Sequence, residues 1–230
     1  METISPSPKR IAHHAGFIYL ILLITAPLAH LYIPSLILDR ASAQITAQNL
    51  LNHEFLFRFS TLLNVVGLVS FIFLALFLYR LFRPVNEHLA RVMRTLVLVD
   101  IPITFLLAIL KMSALLILKS EVYTSFERGQ IENIALMLFR IGDYGGQMEQ
   151  IFWGLWLLPF GLLVYRSGFI PKFLGILLIA NGVAYMTLSV AFMLIPQYLS
   201  ILSNVALPFI LGELWIILWL AIKGVKDVKS

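Results

Sequence analysis

The stretch GELWIILWLAIKG, residues 212–224, sets one carboxylate, Glu213, at the head of an apolar run that closes on a lysine. Taken with the apolar residues ahead of it, the run forms a segment near 204–223. About 20 helical residues cover roughly 30 Å, the thickness of a hydrocarbon core. Glu213 lies about nine residues in, roughly 14 Å deep at 1.5 Å per residue. Trp215 and Trp219 are four apart and fall on one side of this helix, with Glu213 nearly opposite at about 100° per residue. The carboxylate is therefore expected to face other helices, and the tryptophans lipid or a neighbouring helix.

Composition supports the same class. The 230 residues are 60% hydrophobic and 13% charged, with a mean hydropathy of +0.92. Soluble domains are about 45–50% apolar and about 25% charged, which excludes an ordinary water-soluble reading. The net charge of +5 comes from basic residues that flank apolar blocks. Their expected partners are anionic membrane lipids rather than nucleic acid. The chain has no cysteine, so disulfides and thiolate metal sites are excluded, while the redox compartment is left open.

Six spans are expected near 15–38, 57–82, 95–118, 148–166, 172–195 and 204–223, in a single transmembrane domain over 1–230. The first, preceded by Lys9 and Arg10, is too long for a signal-peptide core and is read as retained. DRASAQITAQNLLNHEFLFR, between the first two spans, is too polar to cross and predicts a short interfacial helix. The connection 119–147, with Glu121, Glu127, Arg128, Glu132, Arg140 and Asp143 around IENIALMLFRIG, predicts a second surface or re-entrant helix. RSGFIPK predicts a tight turn, with Gly168 permissive and Pro171 suited to a helix start, so spans four and five should form an antiparallel hairpin.

Basic residues orient this all-α arrangement. Eleven (Lys9, Arg10, Arg80, Arg83, Arg91, Arg94, Arg166, Lys172, Lys223, Lys226, Lys229) fall on one side, against four (Arg40, Lys119, Arg128, Arg140) on the other. The positive-inside rule then puts both termini in the cytoplasm, and an odd number of spans would scatter the bias.

Charge inside a bilayer costs several kcal/mol, so such side chains face protein or water. The candidates are Glu213 on span six, Lys111 on span three, His30 on span one and Asn181 on span five, with Glu54, Arg58 and Glu149 closing an outer-half cavity from above. Lys111 needs a carboxylate, with Glu213, Glu149 and Glu54 in view, and Asp100 is expected to meet Arg94. Asn64 adds a polar group on span two, and His30 shares a face with Tyr19 and Ala26. Asn181, Tyr185 and Ser189, each four on from the last, form one stripe. Three readings of the Glu213 and Lys111 pair stand: an ion pair or hydrogen-bonded knot that orients helices, a substrate, ion or proton site, and a Lys111 that snorkels to the interface on its long stem or lies beyond a misplaced span boundary.

No GxGxxG, Walker, HExxH or GxSxG sequence occurs. Adjacent His13 and His14 cannot share a helix face as metal ligands. No metal or cofactor is expected. The leading function is binding or transport of a small amphipathic or lipid-like ligand through an internal polar cavity. The alternatives are a metal-independent membrane enzyme using buried carboxylates and a structural or assembly partner of another membrane protein. A homo-oligomer or a membrane partner protein fits each reading.

Three stretches, NLLNHEFLFR at 49–58, LPFGLLVYRSGFIPKFLGILLIANGVAY at 158–185 and LGELWIILWLAIKG at 211–224, together carry a resemblance. The chain resembles an uncharacterised family of small prokaryotic integral membrane proteins, a domain of unknown function. That resemblance implies a six-span protein of a prokaryotic plasma membrane and no established activity. The recurrent polar positions it implies are Asn49, Glu54, Arg58, Arg166, Asn181 and Glu213; Lys111 and His30 fall outside its pattern.

Overall fold

The computed structural model describes residues 7–39, 41–120 and 125–225. Among these the chain is almost entirely helical and has no strand. The elements are α1 (Pro8–Ile37), α2 (Ala43–Asn52), α3 (Glu54–Phe82), α4 (Glu87–Lys119), α5 (Arg128–Ser167), α6 (Lys172–Leu194) and α7 (Pro196–Lys223). All but α2 are long and apolar enough to cross a membrane. Large side chains such as Phe17, Phe73, Leu106, Phe173 and Ile222 stand exposed along them. An apolar exterior of this extent suits a lipid surround rather than water.

The short helix expected in the first connection is α2, where the hydroxyl of Ser42 accepts the Ile45 N–H at 3.2 Å as an N-cap. Asn49 on α2 donates to the carbonyl of Ile37 at 3.1 Å, satisfying one of the acceptors left at the end of α1. The second connection differs from expectation. IENIALMLFRIG is not a separate helix but the opening of α5, which runs unbroken for 40 residues. No proline interrupts it before Pro159, and glycines cost a helix only about 1 kcal/mol each. Gly142 and Gly145 also leave room for the side chains of Lys111 and Leu107. Glu121 of this connection lies outside the described residues, as do Arg40, Lys226 and Lys229 of the orientation count.

Two helices change winding. After Pro27, α1 passes through a π-helical turn at Leu28–Tyr32. In α7, the segment Leu199–Leu211 gives way at Gly212 to Glu213–Leu218. Pro208, four residues before Gly212, has no N–H for the ladder. The Gly212 N–H turns to the Phe209 carbonyl at 3.0 Å, and the Trp215 N–H to the Gly212 carbonyl at 3.3 Å. Glu213 thus stands at the irregular point of its span.

The described chain divides into two compact units, one from residues 7–22, 69–101 and 147–225 and the other from residues 23–68 and 102–146. In the first, α5 and α6 form an antiparallel hairpin. Gly168 turns it with φ +72°, a conformation cheap only for glycine, and Pro171 starts α6. Glycines let the two backbones touch: a Cβ on Gly154 would lie 2.4 Å from the Gly182 carbonyl, and one on Gly161 2.7 Å from the Gly175 carbonyl. On α1, a Cβ on Gly16 would strike the α7 backbone at Ala221, and nearby the His13 ring meets the Ala221 carbonyl at 3.0 Å. Trp156 stacks on Phe160 in this unit, with Phe71 edge-on to Trp156 and Phe82 edge-on to Phe160.

The second unit has its own core, built from Ile33, Ile37, Leu50, Phe57, Leu115, Leu118 and Phe139. Glu54 ties two of its helices by accepting from Arg58 at 2.8 Å and from Lys119 at 2.7 Å. The side chains of both pairs are partly exposed, and such pairs contribute little stability.

Candidate functional site

Three helices of the first unit converge on Glu213. The hydroxyl of Tyr19 on α1 donates to Oε1. The side-chain amide of Asn181 on α6 donates to Oε2 at 2.7 Å. Each carboxylate oxygen is thus met by one neutral donor. Among the described residues no basic side chain forms an ion pair with Glu213. Tyr19 is almost fully buried and Asn181 wholly so, while Glu213 keeps some accessible surface.

The Asn181 amide has a second end. Its Oδ1 is buried and accepts no hydrogen bond. This orientation of the amide suits an ionised Glu213, since an oxygen in place of Nδ2 would oppose the charge. Beside a negative charge, the cluster therefore offers a further acceptor that wants a donor.

Aromatic rings pack against the residues of the polar centre. Tyr19 leans on Trp156 with ring centroids 6.1 Å apart. Tyr185, one turn after Asn181 and close to Glu213, meets Trp153 edge-on at 5.7 Å. The stripe continues to Ser189, whose hydroxyl donates to the Met148 carbonyl at 2.8 Å. On the other side of α7, Trp215 is 62% exposed, and Trp219 lies under the Lys223 ammonium at 4.6 Å. Glu213 turns to donors on α1 and α6 while Trp215 is exposed, whereas Trp219 is partly buried, with its Nε1 covered.

The other candidates take different partners. Glu149 on α5 is buried in the first unit, where its carboxyl and that of Asp100 on α4 are in hydrogen-bonding contact. Asp100 thus meets another acid, and Arg94 lies over the Tyr79 ring at 4.4 Å. In the second unit, the carboxylate set against Lys111 is Asp143 at 3.6 Å, with the Phe139 ring 5.7 Å from the ammonium. His30 meets the Asn64 amide at 3.1 Å. Arg166 is exposed at the hairpin turn.

Sequence reasoning missed four contributors. Tyr19 was visible only as a face-mate of His30, and its depth matches Glu213 once α1 and α7 are antiparallel. Trp153 and Trp156 carry no signal separating them from interfacial tryptophans. Asp143 belonged to a connection read as a surface or re-entrant helix, whereas α5 is continuous through it.

The family described as Domain of unknown function (DUF4386) matches residues 14–224. No curated protein and no solved structure matches the chain.

Proposed function

The chain belongs to the DUF4386 family, and from that premise we propose that it binds or transports a small amphipathic or lipid-like ligand whose polar head meets Glu213. One observation carries this reading: a carboxylate within a membrane span is held by two neutral donors, with aromatic rings packed against Tyr19 and Tyr185 beside it. A site of that build gives a polar head its fixed partners and an apolar tail its contact surface. Charged groups at such depth are costly and are typically kept for a ligand or ion pathway. The protein sits in the plasma membrane of a prokaryote with both termini cytoplasmic, a reading supported by eleven basic residues against four. Membrane lipids surround it, and a second copy or another membrane protein can pack on its apolar exterior.

A second reading has its own support. The same two hydrogen bonds tie α1 and α6 to α7, as a structural knot would. Substitution separates the two, because a glutamine at 213 can satisfy Tyr19 and a turned Asn181 amide without any charge. Glu213→Gln protein extracted with its native lipids should melt like the original and lose an amphiphile that the original retains, detected by mass spectrometry of the bound small molecules. Equal small-molecule content in both, matching the surrounding bilayer, would favour the knot.

A further inference from the structure

The bonding pattern at Glu213 narrows the ligand. A carboxylate satisfied by an arginine or lysine has spent its charge, but this one meets only the hydroxyl of Tyr19 and the amide of Asn181. Neutral donors shorten the energetic distance to water without cancelling the charge. Next to it the buried Asn181 Oδ1 still lacks a donor. The polar inventory of the cluster is therefore in excess of acceptors by one charge and one lone-pair site. A ligand head that supplies both deficits must be positive and must carry at least one N–H or O–H.

The walls select among such heads. Tyr19, a donor to the carboxylate, leans on Trp156, and Tyr185, close to Glu213, meets Trp153 edge-on. Ring faces attract cations, by about 0.5 to 2 kcal/mol each depending on desolvation. They offer nothing comparable to an anionic or phosphate head, which the Glu213 charge repels. Arginine or lysine within the cluster would have been needed for those, and among the described residues none pairs there.

We propose that the head group recognised at Glu213 is a protonated amine, its charge set against the carboxylate and one N–H donated to Asn181 Oδ1, on an amphiphile whose apolar part lies along the aromatic residues. This rests on the ligand-binding reading above and adds the charge and the hydrogen-bond donor. A primary, secondary or tertiary ammonium meets both requirements. A quaternary ammonium meets only the first, and a fatty alcohol only the second.

The test is equilibrium binding of labelled dodecylamine to the full chain in nanodiscs, with empty nanodiscs subtracted. Dodecanol, dodecyltrimethylammonium and sodium ions serve as competitors. Saturable dodecylamine binding is expected. Competition by dodecyltrimethylammonium should be tenfold or more weaker than by unlabelled amine, and dodecanol and sodium should compete weaker still. Glu213→Gln should lower amine affinity at least tenfold. If that variant does not fold, the wild-type melting temperature supplies the readout: dodecylamine should raise it and dodecanol should not. Dodecanol competing as well as the amine would overturn the amine assignment while leaving amphiphile binding intact. Displacement by sodium at millimolar concentration would identify an inorganic cation site and overturn it too. Absence of saturable binding by any of the amphiphiles would sink the ligand reading itself along with this inference.

Discussion

Asn181 Nδ2 lies 2.7 Å from Glu213 Oε2, a single hydrogen bond that fixes both the direction of the carboxylate and the end of the amide left without a donor. Replacing Asn181 by leucine keeps the bulk of the side chain and removes that bond. Hydrogen bonds to charged groups contribute about 1.5 to 3 kcal/mol. Asn181→Leu should lower unfolding stability in detergent by an amount of that order and abolish amphiphile binding. A serine at 181 should recover less than half of either loss, since it is too short to reach.

Close contact between α5 and α6 depends on their glycines. A Cβ on Gly161 would come within 2.7 Å of the Gly175 carbonyl, whereas one on Gly129 would meet nothing within 4 Å. Gly161→Ala should therefore destabilise the protein by about 1 to 3 kcal/mol through overpacking. Gly129→Ala should be neutral or stabilising by up to about 1 kcal/mol, from helix propensity. Thermal unfolding of the two variants side by side checks the pair.

Asp100 and Glu149 make a contact that two charged carboxylates could not hold. A hydrogen bond between carboxyl groups requires one proton between them, and an amide can take the place of the proton-bearing partner. Asp100→Asn should keep the melting temperature near that of the original. Asp100→Ala, which leaves Glu149 buried without this partner, should lower it by several degrees. Equal losses in both would show that the pair contributes no bond.

Much of the fold was legible because the membrane imposes a simple rule on sequence: about 20 apolar residues, flanked by charge, make a span. The hairpin at RSGFIPK and the opposed faces of Glu213 and Trp215 followed from turn chemistry and helical periodicity alone. The start of α5 did not. Its first half mixes Arg140 and Asp143 with apolar residues, and periodicity cannot tell a surface helix from one that continues into a span. Partnering was hidden for the same kind of reason: sequence gives the depth of Lys111 but not which neighbour faces it, so Asp143 could not be chosen over Glu213. For Glu213 itself the direction was readable, and the identity of its donors was not.

Lys111 and Asp143 form a partly buried pair at 3.6 Å. Removing one charge strands the other, while removing both replaces the pair with apolar packing. The double variant Lys111→Met with Asp143→Leu should be more stable than Lys111→Met alone, a coupling that a double-mutant cycle measures. Strict additivity would show that the two charges do not depend on each other.

Under the proposed function the Glu213 carboxylate faces the protein interior at a position an amphiphile can reach. Reaction of membranes with an apolar carbodiimide and with a water-soluble one, followed by peptide mapping, tests it most directly, with the exposed Glu87 as the reference carboxyl. The account predicts that the apolar reagent modifies Glu213, that dodecylamine slows this modification, and that the water-soluble reagent reaches Glu87 far faster than Glu213. Modification of Glu213 by the water-soluble reagent at the rate of Glu87, unaffected by amphiphile, would contradict it.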